Sequence, residues 1–336
     1  MLPSWGRIVQ LRRRIQVTGH GSYIVTLPKE WIKLRGLEKG SEIIIVQDSD
    51  GSLRIIPSPY FDGSAKKVKA TISSSWDSLE TILRRIISYY IAGADVLVVN
   101  VERGRLDSKR LAEIVSRRLM GVEVVEESST TVVFHVIASP FSMQVIDTLK
   151  KLARTVGFMI DDLRASIARR DKEMLREIVE RDDIVDKLFI YMWRQITLML
   201  QGRYAPQHIG LESYADSSLI MMAAKNIERI GDHASRIAKA HLKGGGLRER
   251  SPLLEVMNDM KALYEQTVDA FLSPSPEEAE RLIAECSGVR QRLAEVAYGE
   301  AAGPDRIIVE SLSRMIDYCV DILELTLNRS SLRKLF

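Results

Sequence analysis

The second half of the chain repeats apolar residues at helical spacing. From Ser142 onward they recur every three or four residues, beginning with those at 145, 149, 152, 156, 159, 163 and 167. That spacing is typical of amphipathic helices facing a core. Gly, Pro or charged residues interrupt it at 169–171, 202–210, 244–246, 274–276 and 299–304. Because such breaks end helices, the pattern predicts six helices across residues 142–330.

The beginning of the chain follows the period of strands instead. β-branched runs flank a Gly-rich turn in RRRIQVTGHGSYIVTLP, and two further runs turn at Asp50-Gly51, which is a strong hairpin signal. Between them, PKEWIKLRGL has Pro28 near its start and Gly36 at its end, as short helices do. Residues 7–57 are predicted to form a β-rich domain. A unit this small builds little core by itself, so we expect a homodimer.

Residues 66–138 alternate the two patterns in the order strand, helix, strand, helix, strand, strand. A strand–helix–strand run implies a parallel crossover, so we predict a small α/β layer domain. Its turns carry no phosphate loop or nucleophile motif, which favours a spacer or dimerisation module. The predicted fold class is therefore multidomain α+β, with a β-rich domain, a small α/β domain and an all-α six-helix domain.

The six helices read as one three-helix unit used twice, over about 142–242 and 251–329. Residues 173–193 align with 278–298 without a gap, and 228–237 align with 313–322. This repeat is informative because its second copy replaces most of the acidic residues of the first.

Two acid pairs of the first copy stand four residues apart, Asp182 with Asp186 and Glu228 with Asp232. Residues at i and i+4 share a helix face, so antiparallel neighbouring helices can bring four carboxylates together, as helix bundles do at metal sites. Such oxygen ligands suit Mg, Ca, Mn or iron. The alternative is ordinary ion pairing with nearby cations, which the sequence offers at Lys187, Arg229 and Arg236.

Positive charge is concentrated at the beginning of a chain whose net charge is only +3. Residues 1–40 hold eight basic residues and two acids, a balance of +6, so the rest carries −3. This segment is expected to meet an anionic partner, and a two-stranded ribbon fits the DNA major groove. A solvated basic face is the alternative, and we expect Tyr23 and Trp31 in the core. The basic positions proposed to contact DNA are Arg12, Arg13, Arg14, Lys29 and Lys33.

Other features exclude several classes of protein. No apolar run approaches the ~18 residues of a membrane span, and Arg7 with the later arginines is followed by no signal-peptide core, so we expect a cytoplasmic protein without membrane insertion. Cys286 and Cys319 have no metal-ligand spacing and lie on apolar helical patterns, which predicts buried thiols. Partnered nucleophile and base motifs do not occur, so an enzyme such as a metal-dependent phosphohydrolase is the third-ranked reading.

The stretches ERDDIVDKL and NIERIGDHASRIA resemble the PhoU phosphate-uptake regulators. The resemblance covers about residues 142–330 and implies a six-helix fold with two repeats that bind metal clusters, commonly of iron or zinc. The oxygen ligands also suit Mg. Carried over by position, the metal ligands are Asp182, Asp186, Glu228 and Asp232. The second copy departs from the motif, which puts a second cluster in doubt.

The stretches GSYIVTLPKEW, GLEKGSEIIIV and GSLRIIP resemble SpoVT/AbrB-type DNA-binding domains, which MazE-like antitoxins share. That resemblance covers about residues 8–57 and implies a swapped-hairpin homodimer that contacts DNA through basic residues. The combined expectation is a DNA-binding regulator of phosphate uptake with a metal-binding sensory domain. Its alternative is an adaptor that docks on a phosphate transporter or a signalling kinase without binding DNA.

Overall fold

The computed structural model of the chain describes residues 11–19, 21–47, 51–58, 67–74, 78–101, 107–139, 141–243, 252–300 and 304–335. Over these ranges the predicted fold class is confirmed, with small β hairpins first, then a mixed α/β sheet and a helical bundle. Arg7, Asp50 and the helix break at 244–246 lie outside the described residues.

The N-terminal domain consists of two antiparallel hairpins on either side of a short helix. Its elements are β1 (Gln16–Thr18), β2 (Ser22–Ile24), α1 (Lys29–Leu34), β3 (Ile43–Gln47) and β4 (Leu53–Pro57). The hairpins form separate two-stranded sheets, with Leu37 and Ile56 buried. The prediction that Tyr23 lies in the core is wrong for a single chain, because its side chain is 77% exposed, whereas Trp31 is half-buried.

The α/β unit follows the predicted order of elements: β5 (Lys69–Ser74), α2 (Leu79–Ile91), β6 (Val96–Val101), α3 (Ser108–Arg118), β7 (Val122–Glu127) and β8 (Thr131–Val136). The strand order in the sheet is β5-β6-β8-β7, and β5 pairs with β6 in parallel. Side-chain N-caps start both helices. Ser78 accepts a hydrogen bond from a backbone N–H in the first turn of α2, and Asp107 does the same for α3.

The predicted six helices are confirmed within the described residues: α4 (Val145–Arg169), α5 (Lys172–Leu200), α6 (Tyr214–Leu242), α7 (Pro252–Leu272), α8 (Pro276–Glu300) and α9 (Pro304–Leu335). The sharp turn between α4 and α5 has a local cause. Arg170 adopts the left-handed conformation at φ 56°, and the Asp171 carboxylate then accepts the N–H groups of Glu173 and Met174.

One hydrophobic core joins all six helices. Cys286 and Cys319 lie in it as free thiols, which confirms their predicted burial. Among the described residues, no helix combines the length and apolar character needed to cross a bilayer.

The α/β unit is attached to α5 of the bundle mainly through its backbone. The buried Arg194 guanidinium donates to the carbonyls of Tyr90 and Ala94 at 2.5 and 2.9 Å, and it pairs with Asp95 at 3.1 Å. Arg203 adds a bond to the Gly93 carbonyl at 3.0 Å. Since these carbonyls end α2, the guanidinium caps a helix C-terminus, where positive charge is favourable.

Candidate metal site

The predicted site lies between α5 and α6, which approach closely at a glycine. A Cβ on Gly231 would meet Val156 Cγ2 at 3.2 Å and Val185 Cγ1 at 3.4 Å. A glycine in a helix interior costs about 1 kcal/mol relative to alanine, and here the close packing of α6 on α4 and α5 explains it. The acidic residues on either side of Gly231 are thereby held near those of α5.

Three of the four predicted ligands come together. Asp186, Glu228 and Asp232 each present a carboxylate oxygen, and these oxygens all lie within 4.8 Å of one another. Glu228 is buried, Asp186 is half-buried and Asp232 is exposed, so the cluster opens to solvent on the Asp232 side. A cation could reach it from there.

Burial and, after it, the crowding of like charges shift the pKa values of the clustered acids upward. Partial burial, followed by the charges of Asp182 and Asp232, raises the pKa of Asp186 to about 6. Although the Asp232 residue as a whole is exposed, desolvation of its carboxyl group, followed by the charges of Glu228 and Asp182, raises its pKa to about 6 as well. Burial also raises the pKa of Glu228, against the opposing effect of Lys225. Each carboxylate is thus harder to ionise than a solvated one.

Asp182 lies beside these three carboxylates but outside their close contact. Its Oδ2 atom is 3.4 Å from Lys239 Nζ. Its Oδ1 atom is buried and has no hydrogen-bond partner among the described residues. A buried oxygen without a partner is costly, so this atom is a free acceptor at the edge of the cluster.

Ion pairing also occurs, although through other cations than the sequence suggested. Lys225 Nζ lies 2.7 and 2.5 Å from the two oxygens of Glu228, and Lys239 approaches Asp182. The three cations named from the sequence lie elsewhere, with Lys187 on the Ser116 carbonyl, Arg229 over the Tyr318 ring and Arg236 beside Glu310. Lys225 was visible in the sequence as an i,i+3 neighbour of Glu228.

The α/β unit reaches the rim of the site, which the sequence did not indicate. Asp183 of α5 pairs with Arg117 at 3.2 Å and lies 4.0 Å from Arg118, both at the end of α3. Arg118 also lowers the pKa of Asp186 slightly, against the larger effects that raise it. The α/β unit therefore carries positive charge next to the acids.

The five predicted DNA contacts are all exposed. Arg12, Arg13 and Arg14 directly precede β1, and Lys29 and Lys33 lie one turn apart on α1. Several apolar side chains of the same domain are exposed too, among them Ile15 at 71%, Val17 at 61% and Leu53 at 66%.

Known families match two parts of this chain. The PhoU domain family matches residues 149–240, and the bacterial antitoxin MazE family, described as antidote-toxin recognition, matches residues 16–62. The chain carries a PhoU domain. All four predicted ligands fall inside the PhoU domain, and Lys29 and Lys33 fall inside the MazE match, whereas Arg12 to Arg14 precede it. Neither family description names an enzyme.

Curated relatives agree with the PhoU domain. A phosphate-specific transport system accessory protein PhoU homolog of Clostridium acetobutylicum is 24% identical over 123 residues, 36% of this chain and 55% of that protein. A homolog with the same description from Rhizobium meliloti is 32% identical over 92 residues, 27% of this chain and 35% of that protein. The matched segments thus span only part of these relatives.

Solved structures of PhoU proteins are similar to the helical part. The phosphate transport system regulatory protein PhoU from Streptococcus pneumoniae has 18% identity and a TM-score of 0.47, covering 54% of this chain and 91% of that one. PhoU from Pseudomonas aeruginosa has 18% identity and a TM-score of 0.44, covering 54% and 93%.

Proposed function

We propose that this protein is a non-enzymatic, cytoplasmic, dimeric regulator of phosphate uptake. Its MazE-like domain binds DNA. Its PhoU domain is sensory and responds to a cation that the acid cluster holds. The observation that carries the proposal is the cluster of Asp186, Glu228 and Asp232 inside the PhoU domain of a chain that begins with a MazE-like domain. The second candidate is an adaptor that docks on a phosphate transporter or a kinase without DNA.

The residues of the site fit a cation. Asp182 has a buried oxygen without a partner, and the three clustered carboxylates repel one another. A bound cation would neutralise this charge. The donor set consists of oxygens, which suits Mg, Mn or iron better than a dedicated zinc site. Iron and zinc are the metals that the family resemblance implies.

When no metal ion is bound, two lysines neutralise part of the acid cluster. Lys225 bonds to both oxygens of Glu228, so Glu228 has to exchange this partner before it becomes a ligand. Lys239 similarly accompanies Asp182. Cation binding would release the ammonium groups of Lys225 and Lys239 from their carboxylates. It would also change the charge beside Arg118, so the α/β unit would respond to the state of the site. The site therefore suits a sensor better than a catalyst.

Metal binding is tested by elemental analysis of the full chain, purified without chelators, and by titration of the stripped protein with Fe²⁺, Mn²⁺, Mg²⁺ and Zn²⁺. We expect the variant Asp186→Asn/Asp232→Asn to lose the bound metal. Asp317→Asn, which changes the aspartate at the equivalent place in the second copy, is the matched control and should retain it. A parent protein that is metal-free and melts identically with each cation would overturn the sensor.

The DNA proposal rests on exposed charge and on the uncovered apolar surface of the N-terminal domain. Ile15, Val17 and Tyr23 are mostly exposed in a single chain, which favours a dimer in which a second copy covers them. Pairing of two copies would also double the basic surface.

DNA binding is tested with genomic fragments at several salt concentrations. We expect log K to fall by about 0.9 per phosphate neutralised, and Arg12→Ala/Arg13→Ala/Lys33→Ala to weaken binding and flatten this slope. The control changes two exposed basic residues of the α/β unit, Arg84→Ala/Lys109→Ala. Equal binding by both variants would exclude the assigned contacts, and no binding by a dimeric parent would favour the adaptor.

A further inference from the structure

A second charged surface lies on the other side of α6, where it crosses α9. The two helices run antiparallel, since Arg236 of α6 meets Glu310 of α9 at 3.4 Å and Asp216 meets Arg329 at 2.7 Å farther along. In the internal repeat, Arg229 is equivalent to Arg314 and His233 to Tyr318. Equivalent turns of the two copies therefore meet face to face at this crossing.

Both equivalent arginines stack on one aromatic ring. The guanidinium carbon of Arg229 lies 5.6 Å from the centre of the Tyr318 ring, and that of Arg314 lies 5.2 Å from it. The ring of His233 lies 5.9 Å from the same ring. Tyr318 is buried, so its ring is a fixed platform that both guanidinium groups contact. Preorganised cations of this kind lose little freedom when they bind a ligand.

The surface holds more positive than negative charge. Arg314 shares the carboxylate of Asp317 with Arg290, at 3.1 and 2.5 Å, and Arg236 shares that of Glu310 with Arg306, at 3.4 and 3.0 Å. Arg229 has no carboxylate within 4 Å among the described side chains. Among the described residues, these five arginines have two pairing carboxylates between them, so a bound anion would reduce the repulsion between like charges at the crossing.

One polar atom at the crossing also needs a partner. His233 Nδ1 is buried and, in the part of the chain that the structure describes, makes no hydrogen bond. Guanidinium groups present planar forks that match phosphate oxygens, and an imidazole N–H supplies a further donor.

We propose that Arg229, Arg314 and His233 form a binding site for one small tetrahedral oxyanion, of the inorganic phosphate class, on the platform of Tyr318. The site lies on the α9 side of α6, whereas the acid cluster lies on the α5 side, and it needs no cation there. It gives the PhoU domain a direct receptor for an anion, separate from the candidate metal site.

The test is calorimetric titration of the full, chelator-treated protein with inorganic phosphate, and with sulfate and phosphoserine in parallel. The parent should bind phosphate saturably at one site per chain. Phosphoserine binding as tightly as phosphate identifies a phosphoryl group borne on another molecule as the ligand; selectivity for free phosphate identifies the ion itself. Both results support the site. Equal, weak binding of every anion, or no binding up to about 10 mM, overturns it.

Variants locate the site. Arg229→Gln and Arg314→Gln should each weaken phosphate binding about tenfold or more, because each removes a charged donor. Arg292→Gln, which changes an arginine paired with Asp259 away from the crossing, is the control and should bind like the parent. Arg229→Lys keeps the charge and the fold but loses the fork, and should lie between. Unchanged binding by folded Arg229→Gln and Arg229→Lys overturns the assignment.

A last variant separates this proposal from the metal sensor. Asp186→Asn/Asp232→Asn should keep phosphate binding while it loses metal. If it loses both, the anion binds through the metal and the arginine site is wrong. If neither the parent nor this variant binds metal but both bind phosphate, the sensor proposal fails and the arginine site stands.

Discussion

The two copies of the three-helix unit share a frame and differ in their charge. In the first copy, α5 and α6 carry four acids at the site. In the second copy, the corresponding positions on α8 and α9 hold Ser287, Gln291, Ser313 and Asp317. The remaining acid, Asp317, is neutralised within the chain, because Arg290 and Arg314 both bind it.

The two copies differ in how completely their acids are neutralised within the chain, since lysines accompany Glu228 and Asp182 of the first copy. Asp317 has two arginines, whereas Asp186 and Asp232 have raised pKa values and face other acids. The first copy thus keeps an arrangement that destabilises the protein by itself, and the second copy shows that the same fold does not require it. Retention of clustered acids in one copy alone supports a ligand-binding role for that copy.

The largest expected effect is the creation of a second metal site. Restoring the acids as Ser287→Asp, Gln291→Asp and Ser313→Glu, together with Arg290→Val to remove the internal counter-ion, should raise the bound metal from one site to two. The same acids without Arg290→Val should bind the second metal more weakly, because Arg290 remains on Asp317. A folded variant that still binds one equivalent, measured by elemental analysis, would show that other residues define the site.

The second expected effect is on stability, at the position where the copies pack differently. Gly231 of α6 corresponds to Ile316 of α9, which is fully buried. Gly231→Ile should destabilise the protein by about 1–3 kcal/mol or more, since no space exists at Val156. Ile316→Gly should cost about 4 kcal/mol through a cavity and helix propensity. Urea denaturation measures both.

Gly157→Ala is the control for this exchange. Its new Cβ would meet only Tyr264 Cε1, at 3.6 Å, which is an ordinary contact. It should be neutral or raise the free energy of unfolding by up to about 1 kcal/mol. Equal losses at both glycines would show that the close approach at Gly231 is not the reason for its glycine.

A smaller effect is expected in the pH dependence of the metal-free protein. Asp186 and Asp232 have pKa values of about 6 in the folded chain and about 3.9 when unfolded. Between these values the folded state binds more protons, so the free energy of unfolding falls as pH rises from about 4 to 6. After solvent screening we expect on the order of 1 kcal/mol.

The double variant Asp186→Asn/Asp232→Asn should lose this part of the pH dependence, measured by chemical denaturation at a series of pH values. The variant Asp317→Asn should keep it. A parent profile that coincides with that of the double variant would contradict the raised pKa values of Asp186 and Asp232.

The smallest effects should have opposite signs in the two copies. Without metal at neutral pH, Asp186→Asn relieves repulsion and should stabilise the protein by a few tenths to about 1 kcal/mol, whereas Asp317→Asn breaks exposed pairs and should destabilise it by about 0.5 kcal/mol. Thermal melting in the presence of a chelator compares them. If both variants shift the melting temperature in the same direction, the proposed electrostatic difference between the copies is wrong.

Local pattern was sufficient for most of the fold and for part of the site. Helix breaks such as Arg170-Asp171 have causes within a few residues, namely a left-handed residue and an N-cap. The acid pairs share helix faces for the same local reason. Lys225 is three residues from Glu228 and was therefore also accessible to sequence reasoning.

Contacts between segments that are distant in the sequence could not be predicted from it. The reason for Gly231 is its contact with Val156 and Val185 of other helices. The arginines at Asp183 come from a separate unit some way earlier in the chain. Tyr23 was placed in a core that a single chain does not build. Each of these features depends on residues that are distant in sequence and close in space. The spacing of apolar residues along the chain carries no information about such contacts.

The attachment of the α/β unit through Arg194 has a consequence for evolution. Arg194 donates to the carbonyl oxygens of Tyr90 and Ala94, and its guanidinium carbon also lies 4.8 Å from the centre of the Tyr90 ring. Every residue type has a carbonyl, so the side chains that end α2 can drift without removing those two bonds. The two bonds therefore require the arginine to be conserved, but not a particular residue type at either carbonyl. Among relatives with the same architecture, we expect an invariant arginine on α5, and we expect the buried aromatic position of Tyr90 to vary less than the exposed positions near the end of α2.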